Sequence, residues 1–139
     1  MLKSLAGVIA AALLLGSILL LAPPAFAAPA LAARSSDEAS VHVVVTPKVL
    51  GRDAKIWEFA VVMNTHVKPL NDDLAQAAVL IDDAGRRMQP AAWQGDAPGG
   101  HHRKGVLQFT APTEMPKAVE LQLSGIGGVT LRTFRWEVE

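Results

Sequence analysis

Beyond residue 40 the chain alternates apolar and polar residues, and that period of two predicts strands. Val41, Val43 and Val45 alternate with His42, Val44 and Thr46, and Pro47 closes the regular part of this strand because proline donates no ladder bond. The strongest pattern runs from Lys55 to Thr65. Trp57, Phe59, Val61 and Met63 share one face and are expected to point into a core anchored by the two large rings.

Asn71 to Asp82 carries two periods. Leu74, Ala78 and Ile81 have helical spacing, with Asn71 as a cap, whereas Ala77, Val79 and Ile81 alternate. The end of the segment runs into Asp82-Asp83-Ala84-Gly85, a hairpin turn, so a strand is expected with at most one helical turn near Asp72. Arg87 to Trp93 reads as the return strand, on an edge because of Pro90. Val106–Thr110 places Leu107 and Phe109 inward, and Val119, Leu121 and Leu123 mark a half-buried strand. Gly125-Ile126-Gly127-Gly128 is a turn. In the last strand, Val129 to Val138, the apolar parity switches between Leu131 and Phe134, which predicts a bulge near Arg132-Thr133. About seven strands with frequent turns predict an all-β, immunoglobulin-like antiparallel sandwich.

The N-terminal part differs in kind. Lys3 is followed by Leu5–Ala22, apolar except for Ser17, then Pro23-Pro24 and Ala25-Phe26-Ala27. This pattern predicts a helical signal peptide over residues 1–27, with an uncleaved anchor as the rival reading and a secreted or periplasmic location either way. Residues 28–40 are polar and alanine-rich, and a flexible linker is expected there, ahead of a single domain over 41–139. Removing residues 1–27 from the 139 leaves 112, with 12 basic against 13 acidic side chains. That balance argues against a nucleic-acid partner. The chain has no cysteine, so the domain rests on its core alone and thiol catalysis is excluded.

The segments Trp57-Glu58-Phe59, Thr65-His66, Asp73-Leu74, Trp93-Gln94-Gly95, Gly99-Gly100-His101-His102-Arg103 and Gly105-Val106-Leu107-Gln108-Phe109 resemble a pattern in small, uncharacterised exported bacterial domains. The resemblance covers about residues 41–138. It implies an immunoglobulin-like sandwich and brings no activity with it. The chain departs from the periplasmic copper-resistance sandwiches, lacking both a histidine at the mature start and a methionine-rich loop.

Potential ligands concentrate in Gly99-Gly100-His101-His102-Arg103-Lys104-Gly105. Imidazoles are common zinc and copper ligands, so His66, His101 and His102 are the candidate metal residues, with Asp72, Asp73 or Asp96 as helpers. The spacing matches no standard ligand motif. The plain alternative is one imidazole bonded to the loop backbone and the other solvated. Arg103 and Lys104 read as a solvated cationic loop, or as an anion contact, but the segment is not a phosphate loop. His42 reads as an outward strand residue. Asp72-Asp73 and Asp82-Asp83 read as turn residues, since adjacent carboxylates cannot flank a glycosidic bond. Trp93 is expected to pack on Pro98 or to stack on a sugar. No nucleophile–base pair is visible, and no enzyme is expected. The leading function is an exported binding module, for a zinc or copper ion or for an envelope protein. The alternative is a structural or adaptor domain that offers an edge strand.

Overall fold

The computed structural model describes residues 31–138, and the expected signal peptide lies outside them. Among the described residues, nine strands form two antiparallel sheets packed face to face. The larger sheet has the order β1-β2-β3-β7-β6: Arg34–Glu38, Val41–Val49, Ile56–Thr65, His102–Thr110 and Ala92–Gly95. The smaller has the order β5-β4-β8-β9: Arg87–Met88, Ala78–Asp82, Ala118–Ser124 and Leu131–Glu137. This is the antiparallel β-sandwich that the alternation predicted, with nine strands where about seven were expected.

The core follows the predicted parities except in β4, where Ala78 and Leu80 face inward and the alternating set Ala77, Val79 and Ile81 does not. Val41, Val43 and Val45 of β2, Trp57, Phe59, Val61 and Met63 of β3, and Leu107 and Phe109 of β7 are buried against Leu80, Val119, Leu121, Leu123, Phe134 and Trp136 of the smaller sheet. Three rings meet at its centre. Phe59 meets Phe109 edge-on at 5.8 Å and lies at a 44° tilt to Trp136 at 5.5 Å. Both arrangements suit the ring quadrupoles.

Five further local expectations change. Residues 34–38 of the expected flexible linker form β1, paired with β2 from Arg34↔Val45 to Glu38↔Val41. Its two-residue turn, Ala39-Ser40, has φ of 51° and 59°. Left-handed backbone costs an L-residue with a Cβ roughly 1–2 kcal/mol, so neither residue suits this turn. Next, β2 runs past Pro47 to Val49, and a register shift at 47–49 absorbs the missing donor. The helical turn lies at Leu74–Ala77, labelled α1, and Asp73 caps it instead of Asn71, accepting from the Ala75 and Gln76 amides. The expected return strand 87–93 is two strands in different sheets, β5 and β6. Pro90 falls at the crossover, where no ladder donor is needed. Finally, β8 and β9 pair without a bulge from Ala118↔Glu137 to Ser124↔Leu131. The apolar parity switch was misleading. Arg132 takes the inward position and is buried, while Leu131 is left exposed.

The Asp82-Asp83 pair serves its turn, as expected. Asp82 Oδ1 accepts from the Ala84 and Arg86 amides, each at 2.9 Å, and Oδ2 accepts from Arg86 Nε at 2.6 Å. Gly85 turns the chain at φ 80°. Burial alone would raise the Asp82 pKa, but the bonds from Arg86 and Ala84 outweigh it and hold it below its ordinary value. A depressed carboxylate adds stability above its unfolded pKa, and that stability is lost as pH falls through the folded value. Asp82→Asn is therefore expected to cost about 1–3 kcal/mol at pH 7. Urea unfolding should show the gap from wild type shrinking below about pH 4, where the unfolded carboxyl also protonates. A gap independent of pH would rule out the ionised bond as its source.

Candidate functional site

The glycine- and histidine-rich segment is mostly structural. Gly99 and Gly100 have φ of 119° and 68°, backbone that favours glycine. That shape aims their polar groups at the loop after β3. Gly99 N–H donates to Leu70 O at 2.8 Å, and Gly100 O accepts from Leu70 N–H at 2.8 Å. His101 O accepts from Thr65 N–H at 2.9 Å. The two loops are thereby zipped together along their main chains.

Arg103 locks the zip. Its parity on β7 is inward, and only 1% of it is exposed. Nη1 donates to Leu70 O at 3.0 Å and to Asp72 O at 2.6 Å, and Nη2 donates to Asp96 O at 3.2 Å. The guanidinium lies 5.8 Å from the centre of the Trp93 ring, a favourable cation–π distance. Trp93 itself donates from Nε1 to Asp96 O at 3.0 Å. The ring needs room, and Gly95 and Gly105, directly opposed on β6 and β7, supply it. A Cβ on Gly105 would come within 2.6 Å of Trp93 Cζ2. The solvated-loop reading of Arg103 is thus corrected. Trp93 holds the loop through Asp96 and Arg103.

The second inward arginine closes the same end from the other side. Arg132 donates from Nη1 to Ser36 Oγ at 2.8 Å and to Val41 O at 3.1 Å, and from Nη2 to Glu38 O at 2.9 Å and Ile126 O at 3.3 Å. Burial lowers its pKa, and the nearby Glu38 and Asp37 charges oppose that shift. Between the arginines, Lys68 Nζ donates to Gly127 O at 2.5 Å and Gly127 N–H donates to Asp72 Oδ2 at 3.2 Å.

The acidic helpers are therefore engaged elsewhere. Asp72 receives Gly127, Asp73 caps α1, and Asp96 Oδ2 accepts from Lys104 N–H at 2.9 Å. His66 and His101 are exposed beside their zipped backbone, and His102 is the first residue of β7, not a loop residue. Among the described residues no three His, Asp or Glu side chains form a group able to hold a metal ion.

The register brings together a set that spacing alone does not show. Asp37 faces His42, His42 faces Asn64, and Asn64 faces His102, so these four stand in one row across β1, β2, β3 and β7 on the outer face. His102 Nδ1 is hydrogen-bonded to Asn64 Oδ1. His42 Nδ1 lies 3.8 Å from Asp37 Oδ2. His66 and His42 line one shallow groove of about 400 Å³ with Asp37 and Asn64. The outward parity of His42 and Asn64 was readable, but His102 read as a loop residue and the alignment across strands was not legible.

Neither protein-family models nor curated proteins gave a match to the chain. Among solved structures, it is similar to MPT63, a secreted protein from Mycobacterium tuberculosis, at 13% identity over 76% of this chain and 92% of that one, with a TM-score of 0.44. At that level the likeness carries no inference about function, and the fold described above rests on its own strand register.

Proposed function

We propose that this chain is an exported, non-catalytic binding module that meets its ligand at the histidine-bearing end. The leader pattern over residues 1–27 supports export to the periplasm or the medium. One observation carries the binding reading. A buried guanidinium gives its Nη donors to three loop carbonyls, while the exposed imidazoles of His66 and His101, and that of His102 on its bond to Asn64, stand on that fixed backbone. Pre-ordering of exposed contact groups lowers the entropic cost of binding. The buried polar side chains Thr65, Asp82, Arg103 and Arg132 each hold main-chain groups, which supports a role without catalysis.

The ligand class we assign is a zinc or copper ion, taken by His66, His101 and His102 after side-chain rotation, with water or a partner completing the shell. Calorimetric titration of metal-free protein is expected to show a Kd in the micromolar range, weakened about tenfold or more by His102→Ala. No heat with either ion at those concentrations would remove the metal. The second reading is then an adaptor for an envelope protein. It is favoured by β6, a four-residue edge strand at the border of the larger sheet. Its signature is a pull-down from the envelope fraction that His66→Ala, His101→Ala and His102→Ala leave unchanged.

A further inference from the structure

We propose that β1 is an exchangeable strand, and that two copies of this chain dimerise by docking each other's Arg34–Glu38 on the edge of β2. The starting observation is the turn. Glu38 faces Val41, so the hairpin closes through Ala39 and Ser40 alone, and both have positive φ. Such a turn is normally built from Asn-Gly or similar residues, which this chain does not place there. Running straight from β1 into β2 relaxes both residues to ordinary extended backbone. A short hinge under strain is the feature that favours domain swapping.

The contacts that hold β1 survive the exchange. Four of its five side chains are exposed, and only Ser36 is partly buried. The strand is therefore held by its ladder to β2 and by bonds from β9. Those bonds end on Ser36 Oγ at 2.8 Å and on Glu38 O at 2.9 Å, from Arg132, and on Ala32 O at 2.7 Å, from Trp136 Nε1. A second copy presents the same atoms in the same order, so nothing is lost when its β1 takes the place. Among the described residues β1 joins the rest of the fold through Ala39-Ser40 only, and none of them threads it through a loop. The edge it leaves is the nine-residue β2, with Val41, Val43 and Val45 behind it. An open edge of that length demands a cover. Reciprocal exchange supplies the same cover to both copies and closes as a two-fold pair.

The test uses the absence of native cysteine. Ser35 faces Val44 on the outer face. By alternation from the two-residue turn they form a non-hydrogen-bonded pair, with Cα atoms about 4.5 Å apart, close enough for a disulfide. Ser35→Cys with Val44→Cys is refolded at graded concentrations, oxidised, and read on non-reducing gels with light scattering. Covalent dimer is expected, its share rising with protein concentration. Adding Ala39→Asn with Ser40→Gly removes the strain and should cut that share about tenfold or more. Ala39→Pro forbids the positive φ and should make the dimer dominant. Covalent monomer alone at every concentration would overturn the proposal, as would a folded, monomeric Ala39→Pro protein. If Ala39→Pro does not fold, the first two proteins decide: an unchanged dimer share on relaxing the turn also counts against it.

Discussion

Arg103→Ala is expected to destabilise the domain by about 3–5 kcal/mol, roughly 15 °C or more in Tm for a domain of this size. The side chain is buried and is the meeting point of three carbonyls, those of Leu70, Asp72 and Asp96. Leu70 O keeps a bond from Gly99, and Asp96 O keeps one from Trp93 Nε1. Asp72 O loses a 2.6 Å charge-assisted bond, and a cavity opens beneath Trp93. Arg103→Met keeps most of the apolar stem and should cost less, about 2–3 kcal/mol. Arg103→Lys offers one compact ammonium where a fork spans three oxygens, so it should fall near the Met value. Urea unfolding measures all three. Hydrogen exchange at the Leu70 and Gly99 amides should rise in each, because their bonds to Gly100 O and Leu70 O lose the anchor. A loss below about 1 kcal/mol in Arg103→Ala would mean that the guanidinium bonds only offset its own desolvation.

Trp136→Ala should be as damaging, about 3–5 kcal/mol, and is expected to leave the protein largely unfolded at 37 °C. The ring is fully buried, packs 5.5 Å from Phe59, and donates to Ala32 O at 2.7 Å. The substitution therefore opens the centre of the core and releases the start of β1 in one step. Trp136→Phe retains the aromatic packing and loses the donor, so about 1–2 kcal/mol is expected. Near-UV circular dichroism with thermal unfolding separates the two. A Trp136→Ala protein with a native near-UV spectrum and an unchanged Tm would show that the β9 side of the sandwich repacks freely.

These two residues differ in how far the sequence exposed them. Trp136 sits at the end of a clean alternation with Phe134 and Val138, so its burial followed from pattern alone. Arg103 lies between a histidine and a lysine, and nothing local sets it apart from a solvated cation. Its burial depends on which carbonyls lie over the inner face of β7, and those come from residues 70–72 and 96. Arg132 misled for the same reason. A charge at a core-facing position read as a parity fault, when the end of the sandwich holds enough main-chain oxygen to receive it.

The histidines show the same division. The outward placement of His42 and His66 was readable from strand parity, whereas His101 and His102 read as loop residues in the segment identified as rich in potential ligands. The row Asp37, His42, Asn64 and His102 draws on four strands far apart in sequence, so only the pairing register aligned it. Likewise Gly95 and Gly105 gain meaning only as opposed residues that make space for Trp93.

By itself, the sequence determined the fold class, most of the core strands and, outside β4, the apolar inward set that fills the sandwich. A period of two is a local property that burial of one face enforces along each strand. Tertiary structure alone decided the sheet change at Pro90, the ordering of β1, the burial of both arginines and the alignment of the histidine row. Each of these depends on polar partners supplied by distant segments, and the alternation of apolar and polar residues does not record which distant carbonyl a donor will meet.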